Sequence, residues 1–176
     1  MALSTINNSG LAAGTARANF GAGAVLQVLQ TVKVDTYSST ATTWTDVTGV
    51  SLSITPASAL NKVLISVNIA VGSSSASPDI MLRIVRDSTA IAIGNNGGTD
   101  QLTITPFSTA ASSTTESYRS MANTVQYLDS PATTSAVTYK IQMRNWSNSD
   151  TYFVGRRGLN SSFIEPTFLT AMEIAG

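Results

Sequence analysis

Val63, Ile65, Val67, Ile69 and Val71 are apolar, and Lys62, Ser66 and Asn68 between them are polar. A period of two held over ten residues sorts side chains onto the two faces of a β-strand, so this stretch predicts a core strand and excludes a helix. The same alternation recurs along the chain. From Val25, Leu26, Val28, Val32 and Val34 alternate with Gln27, Thr31, Lys33 and Asp35, a long first strand with one mostly apolar face. After a hydroxyl-rich turn at 37–43, Trp44 to Val47 and then Val50, Leu52 and Ile54 alternate up to Pro56, which cannot continue a central ladder; Gly49 marks a bulge or kink between them. Ile80, Leu82 and Ile84 run into an Asp87-Ser88 turn that sends the chain back through Ala90 to Ile93 as a hairpin. Residues 121–128, 137–143, 151–154 and 168–174 complete the set, with one short strand at 101–105 inside a weakly patterned stretch. About nine or ten short strands without helical periodicity predict an all-β fold, an antiparallel β-sandwich or jelly roll.

Residues 1–23 fit neither period. They are Ala, Gly, Ser, Thr and Asn with isolated Leu3, Ile6, Leu11 and Phe20, followed by Gly21-Ala22-Gly23. They read as an extended N-terminal anchoring arm on a flexible hinge, ahead of a single β-sandwich domain at 24–176; the four apolar side chains either hold the arm to something outside the domain or fold it back into a groove on its own domain. The arm lacks the basic start and apolar run of a signal peptide, and no apolar run is long enough to span a bilayer, so the product is expected to stay where it is made until assembly or lysis moves it.

Of the 176 residues 43% are hydrophobic, which excludes disorder, yet only 11% are charged. An average soluble chain carries about 25%. The 24 Ser and 24 Thr residues take over the surface. Ten basic side chains balance ten acidic ones, so no net field draws the chain to nucleic acid or to anionic lipid. A hydroxyl-rich, sparsely charged surface loses little solvation on self-association, which points to a building block.

With no His and no Cys, imidazole- or thiolate-based catalysis and His- or Cys-ligated zinc are eliminated. Asp46, Asp79, Asp87, Asp129 and Asp150 are scattered beside turn residues, which assigns them turn and strand-end roles in place of a carboxylate pair in a cleft. Asp100, after Asn95-Asn96-Gly97-Gly98, is the least poor calcium ligand, but a glycine-rich hairpin tip explains it better. No catalytic residue, metal or cofactor is expected. Arg156-Arg157 is the one adjacent basic pair, and with Trp146, Tyr152 and Phe153 nearby it supplies candidate contacts for a glycan or a neighbouring subunit, the alternative being a solvated loop whose aromatics belong to the core.

Five strings carry a family resemblance: Gly23-Ala24-Val25-Leu26-Gln27-Val28-Leu29-Gln30, Trp44-Thr45-Asp46-Val47-Thr48-Gly49-Val50-Ser51-Leu52-Ser53-Ile54-Thr55-Pro56, Arg86-Asp87-Ser88-Thr89-Ala90-Ile91, Leu128-Asp129-Ser130-Pro131-Ala132-Thr133-Thr134 and Met172-Glu173-Ile174-Ala175-Gly176. Together they resemble short Ser/Thr-rich virion structural proteins of tailed phages, over most of residues 23–176. The resemblance implies a β jelly roll that associates as a homotrimer, a non-enzymatic particle component assembled in the host cytoplasm. Its partners would be further copies of itself and the major capsid protein or a tail protein. Two roles fit: a capsid decoration (cement) protein stabilising the shell, or a tail fibre or receptor-binding appendage that contacts host glycans.

Overall fold

A computed structural model of the chain describes residues 21–74, 79–94, 105–108, 120–146, 150–158 and 160–176. They form eleven strands: β1 (Val25–Lys33), β2 (Tyr37–Ser39), β3 (Thr45–Ile54), β4 (Lys62–Ser73), β5 (Asp79–Arg86), β6 (Thr89–Ile91), β7 (Thr105–Ser108), β8 (Met121–Asp129), β9 (Val137–Asn145), β10 (Tyr152–Val154) and β11 (Thr167–Ile174). The arm, with Leu3, Ile6, Leu11 and Phe20, lies outside the described residues, as does Asp100.

Two antiparallel sheets face each other. In one, β1 pairs β11, β11 pairs β4, and β4 pairs β8 along its other edge, with β10 and β2 continuing beyond the end of β11. In the other, the order is β3-β9-β5, with β7 and β6 sharing the far edge of β5. Without the three-residue strands, the sheets read β1-β11-β4-β8 and β3-β9-β5-β7. In chain order these are strands one, eight, three and six against two, seven, four and five, the double Greek-key winding of a jelly roll.

The expected core stripe lies inside: Val63, Ile65, Val67, Ile69 and Val71 are buried with Val50, Ile54, Ile80, Leu82, Ile84, Tyr139, Ile141, Met143 and Leu169 in one cluster between the sheets. Ile65→Ala should therefore cost about 2–5 kcal/mol through lost transfer energy and the cavity left behind. Asn68→Ala, on the solvent face of the same strand, should stay within about 0.5 kcal/mol. Urea denaturation of both variants checks this, and equal costs would mean that the strand phase is reversed.

Three local readings hold and three change. The Asp87-Ser88 hairpin between β5 and β6 is present, with Asp87 at φ 54° accepting the Thr138 N–H through Oδ1 at 2.8 Å. Gly49 sits at φ +84° in the bulge where β3 breaks register with β9, a conformation L side chains rarely adopt. The paired faces of β4 are as expected.

Residues 37–39, read as a turn, form β2, because Tyr37, Ser38 and Ser39 complete the exposed edge of β10. Of the short strand expected at 101–105, only Thr105 lies among the described residues, where it opens β7 against β5. Gly23, read as part of a free hinge, donates its N–H to Ala175 O at 2.8 Å, extending the β1–β11 ladder. The largest change concerns β1, whose apolar face points outward. Val25, Val28 and Val32 are exposed and Lys33 is buried. The other face closes a corner of the sandwich through polar groups: Thr31 Oγ1 donates to Ser51 O, Gln27 Nε2 to Thr55 O and to Glu173, and Lys33 Nζ pairs with Asp35 at 2.9 Å.

Gly72 in β4 is required for a different reason. A Cβ there would lie 2.5 Å from Arg156 O and 2.7 Å from Gly158 N, so only glycine lets the loop after β10 seat on the sheet.

Candidate functional site

Most of the described carboxylates are committed to structure. Arg86 Nη1 reaches both oxygens of Asp129 at 2.9 and 2.8 Å, and Tyr139 donates its hydroxyl to Asp129 Oδ2 at 2.7 Å. Asp129 ends β8, while Arg86 and Tyr139 stand on β5 and β9, so the triad ties one sheet to the other. Glu173 is fully buried and accepts from Gln27 Nε2 at 2.6 Å, Asn61 Nδ2 at 2.5 Å and the Ala57 N–H at 2.6 Å. Asn61 in turn accepts the Gly176 N–H. This network fixes the 55–61 turn and the chain end against β11, a packing role for the Met172-to-Gly176 string. Among the described residues no group of three or more acidic side chains could hold a metal ion.

Burial and the carboxylate of Asp129 push the Tyr139 phenol far above its usual pKa, and burial pushes Tyr152 up to about 12. The folded chain favours both neutral phenols. That stabilisation is complete below the unfolded value of about 10 and is lost as pH rises through the folded values. We therefore expect stability to fall above about pH 10, with two of the five tyrosines ionising only as the chain unfolds. Absorbance at 295 nm against far-ultraviolet circular dichroism checks this, and free ionisation of all five before unfolding would contradict it.

Two exposed surfaces remain, one per sheet. On the outer face of β1-β11-β4-β8, the register aligns Val28, Met172, Leu64 and Leu128 as an apolar row. Gln30, Thr170, Ser66 and Gln126 form the next row, then Val32, Phe168, Asn68 and Thr124. The two ends of the apolar row are open, Val28 at 53% and Leu128 at 51% exposure. Twelve positions carry no charge; Lys62, one row further along β4, is bonded to Ser130 Oγ at 2.7 Å. Three interstrand spacings by the five residues that the rows span give an uncharged, half-apolar face of the order of 240 Å². Along one rim, Met121 to Leu128 of β8 form an edge that pairs only β4 among the described residues and has no charged side chain to block a further strand.

The outer face of β3-β9-β5 is different in kind. Arg83 lies over the Trp44 ring at 4.3 Å from its centroid, and Arg144 stands between Trp44 and Trp146 at 5.3 and 4.9 Å. Arg83 donates through Nε and Nη2 to Gln142 Oε1 at 2.9 and 2.6 Å. Gln142 Nε2 donates to Asp46 Oδ1, and Lys140 Nζ reaches Asp46 Oδ2 at 2.8 Å. The Lys140 hydrogen bond holds Asp46 below the usual carboxylate range. Partial burial, then the charge of Arg144, lower the Arg83 pKa.

The residues expected as glycan or subunit contacts are not one site. Tyr152 is fully buried between Ser73 and Ser39 with its ring against Tyr37, and is a core residue: strand alternation in β10 turns it inward and leaves Phe153 outside. Trp146 belongs to the ladder with Arg144. Arg156 covers Phe153 at 3.8 Å and donates to Arg157 O and Gly158 O, bracing its own loop. Arg157 lies over Phe163 at 4.6 Å beside an open cleft of about 490 Å³ lined also by Ser120, Ser162, Ile164 and Glu165. Sequence reading missed Trp44, Arg83 and Arg144, because they are distant in sequence and meet only through the β3–β9–β5 register.

No protein-family model matches the sequence, and no curated protein is significantly similar to it. Among solved structures, the chain overlaps one from infectious bursal disease virus, Gx strain, at 14% identity and a TM-score of 0.39. It overlaps another from the VP2 subviral particle of the same virus at 15% identity and 0.33. Each overlap takes in 85% of this chain but only 38% and 37% of the viral chains, so the protein spans well under half of their length.

Proposed function

We propose that this protein is a non-enzymatic structural component of a tailed-phage virion, a homotrimeric capsid decoration protein that stabilises the shell. The observation that carries the reading is the uncharged outer face of β1-β11-β4-β8 with the open β8 rim beside it. Such a face loses little solvation on contact and offers a neighbouring copy an apolar row and backbone groups to pair. It has no like charges to keep identical copies apart. The phage setting and the threefold symmetry rest on the resemblance of the strand and turn strings. The anchoring of the arm at residues 1–23 on the major capsid protein belongs to the same reading.

A tail fibre or receptor-binding appendage is the second reading, favoured by the cation–aromatic ladder on the opposite sheet. Quantitative mass spectrometry of purified virions separates the two. A copy number comparable to that of the major capsid protein supports decoration, a few copies per tail support the appendage, and absence from the particle would reject both.

A further inference from the structure

We propose that the outer face of β3-β9-β5 binds an acidic polysaccharide, with Arg83 taking the carboxylate of one sugar unit and Trp146, at the other end of the ladder, the apolar face of another.

The argument starts from how the charges on this face are used. Asp46 is occupied by Lys140 and Gln142, so what Arg83 receives from it is relayed through a neutral amide. Among the described residues the Arg83 guanidinium has no carboxylate partner, although it is partly buried and shares the Trp44 ring with a second guanidinium. A partly buried guanidinium without a carboxylate partner favours an anion that can reach it, and a planar carboxylate matches a guanidinium edge with two parallel hydrogen bonds. Trp146 supplies the second half of the site. It is 38% exposed, stands just past the end of β9, and has the Arg144 guanidinium over its ring at 4.9 Å. An exposed indole beside a fixed cation offers an apolar plate for a sugar ring and a charge for its acidic substituent.

A nucleic acid would also supply anions and stacking rings, but the surface is wrong for it. Strand binding needs a basic track that follows successive phosphates, whereas here the cations converge on one ring, Lys140 is neutralised by Asp46, and the chain has no net charge. The site is on the sheet opposite the proposed contact face, so it stays accessible in an oligomer and does not depend on the virion reading.

The test is affinity electrophoresis of the full chain through gels containing polygalacturonate, with neutral dextran as control and oligo(dT) as competitor. Retardation by polygalacturonate and not by dextran is expected. Arg83→Gln and Trp146→Ala should each weaken it by about tenfold or more, with oligomer mass and melting temperature unchanged. Arg83→Lys should rescue only part of the loss, since an ammonium cannot form the two-bond pair. The proposal is overturned if polygalacturonate does not retard the protein, if dextran retards it equally, if both variants bind like the parent, or if oligo(dT) binds in preference.

Discussion

Asp129→Ala should be among the most destabilising single substitutions in the chain, at about 3–5 kcal/mol. The carboxylate is buried, receives Arg86 through both oxygens and satisfies the hydroxyl of the fully buried Tyr139. Removing it leaves a phenol O–H without its acceptor and a guanidinium facing an emptied site, and it unfastens the one described ion pair that joins the two sheets. Tyr139→Phe removes only the hydroxyl and should cost less, about 1.5–3 kcal/mol for a hydrogen bond to a charged group. The double variant should cost less than the sum, because both substitutions break the same bond. Urea denaturation of the three variants measures this cycle, and a cost below about 1 kcal/mol for Asp129→Ala would show that the triad is not a structural fastening.

Leu128→Lys should abolish self-association while leaving the fold intact. In the single chain Leu128 is half exposed on β8, opposite Leu64 on the outer face, so a lysine there extends into water at little cost. Packed between copies, the ammonium would be desolvated without a partner, a penalty of several kcal/mol per buried ion repeated at every contact. The polar neighbours Ser66 and Gln126 could accept a hydrogen bond but could not neutralise the charge. A change of this size exceeds what a half-apolar contact of the order of 240 Å² recovers at about 25 cal/mol per Å² once the entropy of association is subtracted. Circular dichroism should report the parent fold, and the chain should no longer associate at concentrations where the parent does.

Strand positions and the core stripe were legible because period-two alternation is a local signal, and the apolar positions from Val63 to Val71 repeat it without interruption. The direction in which an alternating face points was not. In β1 the valines look like core, yet the sandwich closes there through Gln27, Thr31 and Lys33, and only the tertiary position of an edge strand decides which face is covered. Tyr152 fails as a surface contact for the same reason. The ladder of Trp44, Arg83, Arg144 and Trp146 was beyond sequence reading because three strands must pair in a particular register to assemble it. Asp129 was placed correctly at a strand end, but its bonds to Arg86 and Tyr139, 43 and 10 residues away, carry no spacing signature.

Sedimentation equilibrium of the full chain and of Leu128→Lys, side by side at micromolar concentration, tests most directly whether the uncharged sheet face is an assembly surface. The parent should sediment as three 18.3 kDa chains and the variant as one. A parent that sediments as a single chain, or a variant that remains a trimer, would contradict the account.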